Sequence, residues 1–223
     1  ILLNARITQK TFNRWYKIKS FSNSIFNLID IAYPQNLETK IFLKKLDVKH
    51  IRSIGNLKFI DNDQHRYNKI DKNLFSQFKN HEIFIAASTH DKEELFAAKV
   101  HKILKKKKKN LITIIIPRHI NRVDQIINDA KSLDLNVITH SSKNKKLKDK
   151  DIYIVDTFGE SKKFYKISTS VFLGGSIVNK GGQNPLEPAR FGAKILHGPN
   201  VDNFREVYKY LDNLKISKKV KTP

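Results

Sequence analysis

Short apolar runs alternate along this chain with longer stretches in which apolar residues recur at helical spacing. The clearest run, 111–116, is almost purely β-branched, which is typical of a strand covered on both faces. The pattern predicts further strands at 83–87, 136–139, 152–155, 171–173 and 194–196. It predicts amphipathic helices at 91–106, 122–133 and 204–214. Alternation of strands and helices with short joins indicates an α/β fold with a parallel, doubly wound sheet.

The beginning of the chain has the same rhythm. The pattern predicts strands at 1–3, 29–32 and 50–54 and helices at 10–18 and 37–46. Residues 61–79 are polar and rich in turn formers, which favours a connection or an edge helix between two units. We therefore divide the chain into a first Rossmann-like segment, a connection and a second Rossmann-like domain, with bounds 1–56, 57–80 and 81–223.

Composition narrows the function classes. The chain has 43 Lys+Arg against 21 Asp+Glu, a formal net charge of +22, and no Cys, which excludes disulfides and thiolate metal sites. Lysine supplies most of the charge, whereas base readers and bidentate phosphate clamps use arginine. The run 105–109 either complements the end of the preceding helix or attracts an anionic membrane or substrate. No apolar run approaches the roughly 18 residues of a membrane span. Because Ile1 is not Met, we expect a piece of a longer protein.

Glycine is concentrated in one window. All but one of the 8 glycines lie between Gly159 and Gly198. Gly174, Gly175 and Ser176 follow a predicted strand, where ligands of open α/β sheets bind. Glycine there lets a phosphate approach bare backbone N–H groups, although tight turns alone also require glycine.

Three further loops follow predicted strands or open predicted helices. Residues 184–187 (Asn-Pro-Leu-Glu) suit an N-terminal cap, or a carboxylate that holds ribose hydroxyls. Arg118 suits a bidentate phosphate or carboxylate contact, or a plain surface position. Residues 156–160 suit a turn with an acidic helix start, or a second ligand loop. His90 and His119 follow successive strands, but no ligand spacing supports a metal site, so none is predicted.

Taken together and in order, these motifs resemble the bacterial 3-deoxy-D-manno-octulosonic acid (Kdo) transferases of lipopolysaccharide synthesis. The resemblance extends over nearly the whole chain and is far more specific than any one motif. The matching pieces are 3–6, 55–59, 86–90 with Glu93 and Glu94, 117–119 with Arg122, 156–160, 174–176, 184–188, and 198–199 with 203–204.

The resemblance implies a GT-B glycosyltransferase, with two Rossmann-like domains and an active site in the cleft between them. Segment 1–56 would be the end of the acceptor-side domain, and 81–223 the nucleotide-sugar-binding domain, truncated at its end. The family's CMP contacts would fall on Pro117, Arg118, Phe158, Gly159, Glu160, Asn184, Pro185, Leu186 and Glu187. Lys58 and the loop of Gly174, Gly175 and Ser176 would lie on the phosphate side. The family's general base would precede residue 1.

The implied reaction moves Kdo from CMP-Kdo to the lipid A precursor (lipid IVA) with inversion, at the cytoplasmic face of the inner membrane. The implied partners are therefore CMP-Kdo, the lipid A precursor and an anionic membrane surface, with no cofactor, metal or nucleic acid. Gln183 departs from the family's usual His. Two alternatives stay open: a GT-B enzyme that uses another nucleotide sugar, and a basic nucleic-acid-binding protein, which no recognised motif supports.

Overall fold

The computed structural model describes residues 1–57 and 69–221, and Lys58 lies outside these ranges. The chain divides into two compact units, 1–66 and 67–223. Each unit is described by itself. Among the described residues, no helix combines the length and the apolar character that crossing a bilayer requires.

The first unit contains a parallel sheet of three strands in the order β1-β2-β3. Two of its three helices begin at side-chain caps: Thr8 accepts from the N–H of Thr11, and Asn36 accepts from the N–H of Thr39. A stacked pair of rings, Phe12 and Phe42, lies in the core at a centroid distance of 4.4 Å. The elements are β1 (Leu2–Ala5), α1 (Gln9–Lys17), α2 (Lys19–Phe26), β2 (Ile31–Pro34), α3 (Leu37–Lys45) and β3 (His50–Ile51).

The second unit contains a sheet of seven parallel strands in the order β10-β9-β8-β4-β5-β7-β6. Its strands are β4 (Glu82–Thr89), β5 (Leu111–Pro117), β6 (Val137–Thr139), β7 (Ile152–Ile154), β8 (Ser170–Leu173), β9 (Lys194–His197) and β10 (Ser217–Lys219). Its helices are α4 (Lys72–Phe78), α5 (Glu93–Lys105), α6 (Val123–Lys131), α7 (Ser161–Tyr165), α8 (Leu186–Arg190) and α9 (Arg205–Asn213).

Both faces of this sheet are covered, which confirms the predicted α/β class. Along β4, Ile85 and Ala87 pack into one core with α4, α7 and α9, whereas Phe84 and Ala86 pack into the other with α5 and α6. This alternation follows from the two-residue period of a strand. Every residue of β5 is buried, as its apolar run predicts.

The order of the strands sets the place of the site. The chain runs from β4 outward to β5, β6 and β7, and then returns to place β8 on the other side of β4. This reversal makes the carboxyl ends of β4 and β8 the topological switch point, where open α/β sheets form their ligand crevice. The loops after Thr89 and Leu173 therefore meet at this edge.

Three elements extend what the pattern predicts. Within 57–80, where the pattern favours a connection or an edge helix, the described part contains helix α4, and this helix buries Leu74 and Phe78 in the core of the second unit. Strand β10 escapes prediction because its Ser-Lys-Lys sequence has no apolar signal and it pairs only with β9. Helix α2 follows α1 after one residue, where a single helix was predicted. The functional roles assigned to the segments stay predictions.

Candidate functional site

The loops after β4 and β8 cross at backbone contact distance. The N–H of Gly174 donates to the carbonyl of Ala87 at 2.9 Å. A Cβ atom on Gly174 would lie 2.3 Å from the carbonyl oxygen of Ser88 and 2.5 Å from Cα of Thr89. Only glycine fits this crossing. Ser88 has a φ of 52°, which is uncommon for a residue with a side chain.

A buried carboxylate organises the loop that follows. Glu93, in the first turn of α5, is 0% exposed, and its oxygens accept from five backbone N–H groups. Oε2 accepts from His90 at 3.0 Å and from Gly175 at 2.7 Å. Oε1 accepts from residues 176, 177 and 178 at 3.1, 2.9 and 3.3 Å. The chain thus supplies its own anion to the N–H nest after β8.

This arrangement changes the interpretation of the glycine-rich loop. The sequence predicts a phosphate near Gly174, Gly175 and Ser176, held by bare N–H groups. The N–H of Gly174 is instead bonded within the sheet, and those of Gly175 and Ser176 are bonded to Glu93. Contact with a phosphate at these residues stays a prediction, but it cannot use these N–H groups while Ala87 and Glu93 accept from them.

The second half of the same loop is clamped from both sides. The N–H of Gly182 donates to the carbonyl of Gly175 at 2.8 Å, which closes the loop on itself. Asn203 donates its side-chain amide to the carbonyl of Lys180 at 3.0 Å and its N–H to the carbonyl of Gly181 at 2.9 Å. Gly181 has a φ of 79°, and a Cβ there would lie 2.5 Å from Asn203. The loop therefore holds Lys180 at a fixed turn.

Cations border the switch point. Arg118 follows β5, and its N–H donates to the carbonyl of Thr89 at 2.9 Å, which fixes its backbone against the end of β4. Its side chain is exposed, as is that of Lys180, and neither forms an ion pair with any residue that the structure describes. The edge therefore has a positive potential that suits an anionic ligand.

His90 lies at the same edge, directly after β4. Its ring is 5.7 Å from that of His119, and its Nε2 atom is buried without a hydrogen-bond partner among the described residues. Burial lowers the pKa of His90 below its ordinary value; Glu93 opposes this shift, and Lys180 and Arg118 reinforce it. Nε2 of His90 is therefore a buried hydrogen-bonding atom that the described residues leave without a partner.

Arg122 holds the loop after β5 in place. Its guanidinium donates to Glu94 at 2.9 Å and to Asp91 at 2.7 Å, so it joins the beginning of α5 to the turn that follows Arg118. Burial raises the pKa of the Glu94 carboxyl, and the charge of Arg122 opposes this shift. We assign Arg122 a structural role rather than contact with a ligand.

The loop after β7 carries the next predicted ligand residues. Phe158 is 77% exposed, and Gly159 has a φ of 78° in open space. Glu160 pairs with Lys163 at 2.5 Å and lies 3.6 Å from Nε2 of His140. An exposed ring beside a fixed carboxylate at a strand's carboxyl end suits the stacking and orientation of a nucleobase.

Helix α8 begins with the remaining predicted residues. Asn184 accepts from the N–H of Leu186 at 3.1 Å, so its side chain does serve the helix start, although the N-cap position itself is Pro185. Glu187 lies in the first turn, half-buried, with an oxygen 3.7 Å from Nζ of Lys162. Asn184 therefore caps the helix, and the carboxylate of Glu187 is not needed for capping. Capping and contact with a ribose can thus both hold for this segment.

The predicted residues thus fall into two groups in the structure. One group, Arg118 with Gly174, Gly175 and Ser176, lies at the switch point, and the other lies in the loop after β7 and at the start of α8. Three residues that sequence analysis did not assign to the ligand belong with the first group: Glu93, Lys180 and Gln183. The consecutive acids at 93 and 94, directly after a strand, are the signal that could have indicated a buried role. In the described parts of the chain, no three His, Asp or Glu side chains are grouped to hold a metal ion.

Comparisons with known proteins show which family this chain resembles. Residues 1–61 match a family model described as 3-deoxy-D-manno-octulosonic-acid transferase (kdotransferase). The chain is 34% identical to such a transferase of Rickettsia felis, over 94% of this chain and 45% of the relative. It is 30% identical to that of Haemophilus influenzae, over 95% and 50%. The chain spans about half the length of the curated relatives it matches. These similarities confirm the resemblance drawn from the motifs.

One solved structure supports the fold. The C-terminal CMP-Kdo binding domain of WaaA from Acinetobacter baumannii superposes with a TM-score of 0.63 and 24% sequence identity. It covers 68% of this chain and 81% of that domain. At this identity the match shows the fold alone, which agrees with the parallel sheet of the second unit.

Proposed function

We propose, from its similarity to Kdo transferases, that this chain contains the donor-binding part of a glycosyltransferase that transfers Kdo from CMP-Kdo. The observation that carries the proposal is the clamped, positively charged edge at the switch point of the second sheet. A nucleotide sugar is anionic, and ligands of this fold bind at that edge. Following the resemblance, the reaction uses no metal and no cofactor.

The charge developed during transfer gives Arg118 its role. Breaking the bond between the sugar and CMP leaves the electron pair on the departing phosphate while the sugar becomes oxocarbenium-like. A fixed cation near that phosphate stabilises the transition state more than the ground state. Arg118 fits because its backbone is bonded to β4 and its guanidinium has no ion-pair partner among the described residues.

The other predicted contacts orient CMP. Phe158, Gly159 and Glu160 would hold the base, and Glu187, on the rigid first turn of α8, would accept from ribose hydroxyls. Pro117 ends β5 and Leu186 is buried at the start of α8, so both shape the backbone rather than supply charge. The acceptor hydroxyl also needs a general base.

The proposed acceptor is the lipid A precursor, with inversion at the anomeric carbon, and the proposed location is the cytoplasmic face of the inner membrane. Residues 1–29 contain no Asp or Glu. At the junction of α1 and α2, Tyr16, Ile18 and Phe21 are 46%, 50% and 59% exposed and alternate with Lys17 and Lys19. Exposed aromatic and basic side chains together favour an anionic lipid surface.

Vesicle sedimentation tests the membrane part of the proposal. The chain should sediment with vesicles that contain anionic lipid and much less with neutral ones. Lys17→Glu with Lys19→Glu should reduce sedimentation, and Lys40→Glu with Lys44→Glu, two exposed positions of α3, serves as the control matched in charge. Equal loss in both variants would assign the effect to net charge rather than to this junction.

Calorimetric titration tests the donor site. We expect the chain to bind CMP more tightly than UDP, and Arg118→Gln to weaken CMP binding about 10-fold to 100-fold, the range of one charged hydrogen bond of about 1.5–3 kcal/mol. Lys194 begins β9 and therefore lies at the amino ends of the strands, away from the switch point. Lys194→Gln should leave CMP binding unchanged. Tighter binding of UDP would favour another nucleotide sugar. Steeply salt-dependent binding to duplex DNA would favour the nucleic-acid alternative.

A further inference from the structure

The loop after β6 fixes the beginning of the loop after β7. The N–H of His140 donates to the carbonyl of Ile154 at 2.8 Å, and the N–H of Ser141 donates to the carboxylate of Asp156 at 2.9 Å. The hydroxyl of Ser141 donates to the other oxygen of the same carboxylate. These bonds join the carboxyl ends of two neighbouring strands. The loop 156–160, whose last three residues the proposed function assigns to the nucleobase, therefore starts from a fixed frame.

The side chain of His140 faces the other end of that loop. Its ring packs edge-on against the rings of Tyr153 and Phe164, at centroid distances of 5.9 and 5.7 Å. Its Nδ1 atom lies 2.6 Å from the phenol oxygen of Tyr153, and its Nε2 atom lies 3.6 Å from Oε2 of Glu160. The imidazole thus lies between a phenol of β7 and the last residue of the loop.

The phenol of Tyr153 decides which nitrogen of His140 carries the proton. Tyr153 is fully buried, and within the described residues its hydroxyl forms one hydrogen bond, with Nδ1 of His140. Burial raises the pKa of this phenol above its ordinary value, so the proton stays on the oxygen and needs an acceptor. Nδ1 accepts it, and Nε2 of the neutral ring therefore carries the N–H that faces Glu160.

Glu160 uses one carboxylate oxygen within the protein. Its Oε2 atom is buried, faces His140 and pairs with Lys163 at 2.5 Å. The side chain is 18% exposed, so Oε1 is the oxygen that remains for a ligand. An ionised carboxylate only accepts hydrogen bonds. Cytosine presents a donor, its 4-amino group, where uracil presents a carbonyl oxygen, so this oxygen suits cytosine.

We propose that His140 is a positioning residue for base recognition: its Nε2–H holds Oε2 of Glu160 so that Oε1 accepts from the 4-amino group of cytosine. The inference rests on the proposed function, which assigns Glu160 to the base of CMP, and it adds the residue that sets the carboxylate. His140 itself does not contact the nucleotide. It acts through Glu160, as Tyr153 acts through His140.

Recognition of cytosine should depend on the protonation of His140. Burial lowers the pKa of His140 below its ordinary value of 6.5, and Lys145 and Lys163 act in the same direction. Glu160 and Asp156 oppose this shift. The ring is therefore neutral at pH 7.5 and takes up a proton as the pH falls below 6.5. A cation at position 140 adds to the positive charge that Lys163 already places on the carboxylate, which makes the carboxylate a weaker acceptor.

Calorimetric titration with CMP and UMP tests this role. The two nucleotides carry the same phosphate, so its own protonation cancels in the ratio of their dissociation constants. We expect the wild-type chain to prefer CMP, and this preference to fall about 2-fold or more between pH 7.5 and pH 5.5. His140→Gln keeps an acceptor for Tyr153 and a donor for Glu160 but does not titrate. Its preference should match that of the wild type at pH 7.5 and should not change with pH.

His140→Phe with Tyr153→Phe removes both ring nitrogens together with the phenol, so no buried hydroxyl is left without an acceptor. The preference for CMP should fall about 5-fold at pH 7.5, while far-ultraviolet circular dichroism stays native. In the Glu160→Gln background the same pair of changes should have no further effect, because His140 acts through that carboxylate. His81→Gln is the control, because His81 directly precedes β4 at the amino ends of the strands, and it should change nothing.

The outcomes separate this role from the proposed function. If the wild-type chain prefers CMP and the changes at His140 leave the preference and its pH profile intact, the positioning role is wrong and the proposed function stands. The role is also wrong if the paired change has the same effect with and without Glu160. If the wild-type chain binds neither nucleotide, or binds UMP more tightly, the proposed function fails and the positioning role fails with it.

Discussion

Replacement of Glu93 is the sharpest test of how the site is built. The structure predicts that this carboxylate is an internal ligand of the loop after β8, since it accepts from five backbone N–H groups and is fully buried. Glu93→Gln keeps the shape and one acceptor oxygen. Glu93→Ala removes both oxygens. Stability should therefore fall in the order wild type, Gln, Ala.

The contacts set the magnitude. If the amide oxygen in the Glu93→Gln variant takes the place of Oε1, residues 176–178 keep an acceptor, and the N–H groups of His90 and Gly175 face an NH₂ group that cannot accept. Each buried donor without a partner costs about 1–3 kcal/mol, so we expect a loss of about 3 kcal/mol for Glu93→Gln. Glu93→Ala orphans all five donors, and water entering the cavity satisfies some, so about 4–5 kcal/mol is expected.

Urea unfolding followed by two probes measures this loss. Trp15 is the chain's one tryptophan and packs edge-on against Phe26 at 5.5 Å, so its fluorescence reports the first unit. Near-ultraviolet circular dichroism of tyrosine reports the second unit, where Tyr153, Tyr165 and Tyr208 are buried. With a slope of about 2 kcal/mol per molar urea, 3 kcal/mol moves the second unit's midpoint by about 1.5 M.

The matched control is Glu82→Gln, which changes a 56% exposed side chain in the same unit and should shift stability by less than about 0.5 kcal/mol. Formate should partly restore Glu93→Ala, because a small carboxylate fits the vacated nest. Equal midpoints for Glu93→Gln and Glu82→Gln would refute the reasoning, as would a shift seen only in the fluorescence of the first unit.

Three further outcomes are expected. Gly174→Ala should destabilise the second unit by about 3 kcal/mol, measured by urea unfolding, because its Cβ would lie 2.3 Å from the carbonyl oxygen of Ser88. Burial lowers the pKa of His101 below 6.5, so the unfolded chain takes up a proton that the folded chain does not; stability should fall as pH drops below 6.5, with a shallower slope in His101→Gln. Arg122→Met should lower the unfolding temperature and weaken CMP binding indirectly, because it leaves Glu94 buried without its cation.

The regular elements of the second unit follow from local pattern. Strand β5 is predictable because both faces of a central parallel strand are covered, which demands an unbroken apolar run. Helix α5 is predictable from its apolar spacing, and the predicted bounds differ from the observed ones by two residues or fewer. Strand β10 is not, because an edge strand of three polar residues owes its existence to pairing with β9.

The chemistry of the site depends on contacts that sequence distance conceals. Glu93 and the N–H of Gly175 are 82 positions apart, and no local pattern joins them. The helix dipole already explains an acidic residue in the first turn of a helix, so the position of Glu93 predicts no contact with a distant loop. Likewise, the sequence does not distinguish Lys180 from the other lysines. The structure does, because the hydrogen bonds of Gly181, Gly182 and Asn203 fix its backbone.

The glycine-rich loop shows how an anion site can be prepared without the anion. In nucleotide-binding folds, the N–H groups of such a backbone nest commonly bind a phosphate of the ligand. Here the nest is filled by Glu93, so the loop is folded before any ligand arrives, and little ordering cost remains for binding. The same carboxylate repels a second anion, and the exposed cations Arg118 and Lys180 at this edge offset that repulsion. The selectivity for a ligand then depends on side chains, because the N–H groups of Gly175 and Ser176 are already used by Glu93.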